Sequence, residues 1–103
     1  MATYVDSLFR FPGHPRFPWA QSCHLFADSE AELHALAQEL GMKVEWSQIG
    51  RRGILHYDLN PERRARAIEL GALPLSRRES VAKWRSLRDG EKENQPAIVG
   101  SEG

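Results

Sequence analysis

The chain has 103 residues, 41% of them hydrophobic, enough for one small core and not for two. Its fourteen basic and fourteen acidic side chains cancel, so overall charge favours no polyanionic partner. Cys23 is the only cysteine, which excludes a disulfide-framed secreted scaffold, and no apolar run approaches the roughly 18 residues of a membrane span, so a soluble, unprocessed, cytoplasmic protein is expected.

The first element is a strand over Ala2–Leu8, alternating and rich in Tyr and Val. Arg10–Trp19 then holds Pro12, Pro15 and Pro18, which remove backbone donors and fix φ, so a loop is expected there. Its two Arg-Phe-Pro repeats and Trp19 would suit stacking on bases or binding a protein partner, or would fold back over the core. Ser22–Ala27 is a second strand. Ser29 and Glu32 form a capping box for a helix stopped by Gly41, with Leu33, Leu36, Ala37 and Leu40 as its buried stripe and His34 at the rim.

A third strand is expected over 43–49 around Val44 and Trp46, then a Gly50–Gly53 turn and a strand over Ile54–Leu59. Asn60 and Pro61 open a second helix that ends at Gly71. Leu73–Leu75 fits only an edge strand because of Pro74. Ser76 and Glu79 cap a third helix with Val81, Trp84 and Leu87 on one face. The order β-β-α-β-β-α-(β)-α predicts an α/β (α+β) fold, a small sheet of four to five strands packed with three helices. A single domain is expected over residues 1–90. The polar segment 91–103 reads as a disordered tail that could serve as a partner-docking arm.

Three of the strands carry polar residues that an ordinary buried strand avoids: Asp6, His24, and the pair His56 and Asp58. Burying such a group without a partner costs roughly 2–7 kcal/mol, so these side chains are paired or line a cleft. Period-2 geometry puts His56 and Asp58 on one face of their strand, with Leu55, Tyr57 and Leu59 on the other. His24 and His56 suit general acid/base work with Asp6 and Asp58 as orienting partners, which makes these four the candidate catalytic residues. His24, His34, His56 and Asp58 are also chemically fit to hold a divalent ion such as zinc, manganese or magnesium.

Charge is distributed unevenly. Residues 1–50 hold three basic and six acidic groups, whereas 51–92 hold eleven and six. Arg63 and Arg66, on the helix directly after the His-Tyr-Asp element, are candidates for holding a phosphate, with Tyr57 beside them. The expected function is a hydrolase-like domain directed at phosphoesters or nucleic acid. The competing expectation is a non-enzymatic binding or regulatory module for a protein partner. A helix-turn-helix reading is disfavoured, because six residues (71–76) separate the last two helices where that motif uses 3–4.

Taken in order, Tyr4-Val5-Asp6, Cys23-His24-Leu25 with Ala27-Asp28, Glu32-Leu33-His34, Gly41, Trp46, His56-Tyr57-Asp58, and Ala67 with Gly71-Ala72 resemble a family of small bacterial and phage proteins, the "domain of unknown function 4031". The resemblance covers about residues 2 to 82, with His56-Tyr57-Asp58 its most recognisable part. It implies no particular activity. The proline-rich stretch after the first strand is longer here than in that pattern, so the resemblance assigns no role to Phe11, Phe17 or Trp19.

Overall fold

The computed structural model describes residues 2–10, 21–50 and 53–93. Its strands are β1 (Thr3–Val5), β2 (Phe9–Arg10), β3 (Gln21–Ala27), β4 (Gln48–Ile49), β5 (Leu55–Leu59) and β6 (Leu73–Pro74). Its helices are α1 (Glu30–Glu39), α2 (Pro61–Glu69) and α3 (Arg77–Glu93), with a 3-10 turn at Val44–Trp46. The sheet runs β4-β5-β3-β1-β6, antiparallel except where β1 meets β6, and β2 extends the β1 side of β3. This is the expected α+β architecture.

Helix ends follow from local chemistry. The Ser29 hydroxyl accepts from the Glu32 amide and donates to the Glu32 carboxylate at the start of α1. Asn60 Oδ1 accepts from the Arg63 amide at the start of α2, and Ser76 and Glu79 satisfy each other's amides before α3. Both α1 and α2 end in a Schellman motif. Met42 N–H bonds to Ala37 O after Gly41 at φ +77, and Ala72 N–H to Ala67 O after Gly71 at φ +113, a backbone region that favours glycine.

Strand alternation gives the sheet two different faces. Val5, Cys23, Leu25, Tyr57 and Leu59 form the core with Leu33, Leu36, Ala37 and Leu40 of α1 and Ala67 of α2. Burying one such leucine contributes about 1.5–3 kcal/mol, so this face anchors the fold. The opposite face carries Tyr4, Asp6, His24, Phe26, His56 and Asp58. There α3 lays the Trp84 ring 5.6 Å from Phe26 and 6.0 Å from His24, and Lys83 Nζ sits 4.9 Å from the Tyr4 ring. Lys83 also pairs with Asp28, which accepts from Tyr4 Oη and the Ala2 amide, so one carboxylate ties together β1, the end of β3 and α3.

Two local differences from the sequence reading concern the strands. The strand expected over 43–49 is mostly the 3-10 turn, because Val44 and Trp46 stay exposed and the chain instead closes Trp46 N–H onto Lys43 O and Ser47 N–H onto Val44 O. The ladder beside β3 resumes as β2 after Leu8. Helix α3 continues through Gly90 to Glu93. Most of the proline-rich loop (11–20) and the tail from 94 on, the two proposed docking arms, lie outside the described residues. With β6 between them and opposite faces of the sheet beneath them, α2 and α3 form no helix-turn-helix.

Candidate metal centre

Four adjacent strands build a polar cluster on the α3 face. Asp6 follows β1, His24 is central in β3, His56 and Asp58 lie on β5, and Gln48 lies on β4. His24 is registered opposite Asp58, and Gln48 opposite His56. Partners across an antiparallel pair point to the same face, so the sheet itself delivers these side chains to one place.

Asp6 reaches His24 through a break in the ladder. Val5 pairs with Leu25 and Phe9 with Ser22, so three residues (6–8) stand opposite two (23–24), the signature of a β-bulge. Asp6 N–H still bonds to His24 O at 3.2 Å, but the reciprocal bond is rerouted. His24 N–H donates to the Asp6 carboxylate (Oδ1, 2.6 Å), and the Asp6 carbonyl accepts instead from Arg64 Nε at 2.9 Å. The second carboxylate oxygen, Oδ2, sits 2.6 Å from His24 Nδ1.

Both imidazoles are therefore held by the same ring atom. A carboxylate faces His24 Nδ1, and the Ile54 carbonyl faces His56 Nδ1 at 2.9 Å. Both partners only accept, so each Nδ1 carries a proton, and each neutral ring keeps its lone pair on Nε2. The two Nε2 atoms turn toward Asp58 Oδ1, at 3.9 Å from His24 and 3.7 Å from His56. These three donor atoms all lie within 4.8 Å of one another. Zinc bonds of about 2.0–2.1 Å set tetrahedral ligand atoms about 3.4 Å apart, so drawing both Nε2–Oδ1 distances in by about half an ångström or less, and the two Nε2 atoms to the same spacing, would let the cluster hold an ion. The side chains of His24, His56 and Asp58 are 30%, 14% and 24% exposed, which leaves water a path to the centre.

The same geometry controls the local electrostatics. Burial opposes charging of His24, yet the hydrogen bond and charge of Asp6, with the charge of Asp58, outweigh it and hold its pKa above the ordinary 6.5. Cys23 points the other way. Burial, reinforced by the charge of Asp6, pushes its thiol up to about 12, so it is neither nucleophile nor ligand at neutral pH.

Residues 3–87 match the sequence profile of a family described as "Protein of unknown function (DUF4031)". The chain belongs to that family. No curated protein and no solved structure matches the chain. The DUF4031 region takes in every strand of the sheet and all the residues of the polar cluster.

Of the residues singled out from sequence, the structure of this DUF4031 protein brings Asp6, His24, His56 and Asp58 together and sends four others elsewhere. His34 is on α1, where its Nδ1 meets Tyr57 Oη at 2.6 Å on the core face, so it cannot join a ligand set across the sheet. Tyr57 is fully buried, His34 only partly, and burial raises the tyrosine's pKa. It therefore lines no substrate site. Arg63 sits with its guanidinium carbon 6.0 Å from the Trp46 ring, and Arg66 pairs with Glu69. Both lie on α2, which packs on the core face, so neither holds a phosphate at the cluster. The Arg63 amide is already taken by Asn60, which also uses a first-turn donor expected to face an anion.

Sequence reasoning missed Arg64, Gln48 and Gly50. Gln48 Nε2 donates to Asp58 Oδ2 at 2.9 Å, and a Cβ on Gly50 would stand 3.2 Å from His56 Cε1. Their signal is present only as spacing: Gln48 lies across the Gly50–Gly53 turn from His56, with Gly50 opening that turn, and Arg64 is the helical neighbour of Arg63.

Proposed function

We propose that the protein is a cytoplasmic, metal-assisted hydrolase of phosphoesters, with His24 Nε2, His56 Nε2 and Asp58 Oδ1 as ligands of a divalent transition metal. One observation carries this reading: two imidazoles with Nδ1 tied to acceptors aim their Nε2 atoms at one carboxylate oxygen. Metal-binding histidines characteristically donate their other ring N–H to a carboxylate or backbone carbonyl, as Asp6 and Ile54 receive them here. Two nitrogen donors favour zinc, or iron in the same ligand set, over magnesium, which prefers oxygen. Three protein ligands with solvent access fit a catalytic rather than a closed structural site.

When bound, such an ion supplies an activated water at neutral pH and a Lewis acid for the scissile group. The chain's own residues orient and attract. Asp6 and Ile54 hold the ligand tautomers, while α3, with five basic residues and one acidic between 77 and 88, lies over the same face and raises the local concentration of an anionic substrate.

The test uses untagged protein. Zinc titrated by calorimetry should bind with one-to-one stoichiometry, and the loaded protein should hydrolyse model phosphomonoesters or diesters in a way that His56→Ala abolishes. Absence of stoichiometric zinc, manganese and iron binding would overturn the metal reading. Binding with no hydrolysis by any loaded form across both ester classes would overturn the assigned reaction.

A further inference from the structure

We infer that Gln48 sets the number of open positions on the metal by holding Asp58 as a one-oxygen ligand, an inference that rests on the metal reading above. A free carboxylate can coordinate through one oxygen or both. Here its two oxygens are divided between separate tasks: Oδ1 faces both Nε2 atoms, while Oδ2 accepts the Gln48 amide at 2.9 Å. Cross-strand register explains why Gln48 can do this. It is paired with His56 on the edge strand, shares its face, and reaches diagonally to the residue two places along β5.

The rest of the β4–β5 hairpin secures the neighbouring ligand, with the Ile54 carbonyl on His56 Nδ1 and Gly50 leaving room for the ring edge. An exposed glutamine bonded to a carboxylate that still reaches solvent adds little to stability, so its contribution is geometric. With Asp58 limited to one oxygen, the protein supplies three ligand atoms. An ion held this way would keep a position for an attacking water and, on expanding to five ligands, one for a phosphoryl oxygen. Freed from Gln48, Asp58 can close over the ion with both oxygens and take up the position the substrate oxygen needs. Gln48 is thus a positioning residue that acts through Asp58.

Gln48→Met removes the donor while keeping side-chain length, and Gln48→Ala removes both; the exposed site on a two-residue strand lets both fold. The probe is Co(II) loaded in place of the native ion, whose visible absorption weakens as coordination number rises. The expected result is a weaker, shifted band in both variants, with turnover falling by about tenfold or more at little-changed KM. A Gln48→Met spectrum that superimposes on the wild type, with unchanged turnover, overturns the role of Gln48 alone. Wild-type protein that takes up neither cobalt nor zinc overturns this inference together with the metal reading beneath it.

Discussion

Asp6→Asn alters the electronics of the centre while changing almost nothing in its shape. The asparagine must place either its oxygen or its amide against His24 N–H, where the carboxylate now sits at 2.6 Å. With the oxygen there, its NH₂ faces His24 Nδ1 and forces the ring proton to Nε2, the atom that should carry the metal-binding lone pair. With the amide flipped, the tautomer survives, but a partly buried backbone N–H loses its acceptor, which costs up to about 1–3 kcal/mol. Removal of an outer partner of this kind weakens metal binding by about 10–100-fold, or about 1.4–2.8 kcal/mol. Loss of one charge-assisted hydrogen bond should lower stability by a further 1–3 kcal/mol or so, at about 4–8 °C of Tm per kcal/mol in a domain this size. Zinc titration calorimetry reads the affinity, and the ring ¹⁵N shifts of His24 read the tautomer. Zinc affinity within about twofold of wild type, with the proton still on Nδ1, would refute the reasoning.

Gly50→Ala should weaken zinc binding while leaving Tm within a few degrees, because its new methyl meets only the edge of the His56 ring at 3.2 Å; unchanged affinity would show that the ring has room to yield. Arg64→Met should release the Asp6 carbonyl back toward the β3 ladder, which hydrogen exchange would detect as altered protection of the His24 amide together with weaker metal binding. Asp28→Asn addresses acid stability. Burial raises the Asp28 pKa, but hydrogen bonds from Lys83, Tyr4 and the Ala2 amide lower it more, so the net folded value lies below the ordinary 3.8. A depressed carboxylate contributes stability that is fully present above its unfolded pKa and is lost as pH falls through the folded value. The substitution should therefore destabilise the protein by about 1–2 kcal/mol at neutral pH and flatten the acid limb of the denaturation profile below about pH 4. An unaltered acid limb would remove Asp28 from the account.

How far the site was legible varies residue by residue. His56 and Asp58 could be placed on one face because strand period is fixed at two and their strand is regular. The two capped helices after Ser29 and Asn60 were equally plain, since capping is chemistry between near neighbours. Asp6 could be suspected but not positioned, because its approach to His24 depends on an extra residue in the ladder that only pairing reveals. Arg63, Arg64 and Arg66 look alike in a row of arginines. The phase of α2 against the sheet decides that Arg64 alone reaches the Asp6 carbonyl, and that phase is set by tertiary packing. Gln48 was hidden by reading 43–49 as a strand centred on Val44 and Trp46, where backbone bonds closed locally instead.

The one-residue excess at Asp6–Leu8 means that this sheet is irregular where its chemistry is concentrated. A designer who idealised the protein by removing Ser7 would obtain a straighter and better-bonded strand, in which His24 N–H returned to a backbone carbonyl. The carboxylate would then lose its reason to lie against the imidazole. Selection for stability alone would thus tend to erase the cluster, so a defect of this kind is what a site kept for its chemistry would be expected to carry and a sheet shaped only for folding would not.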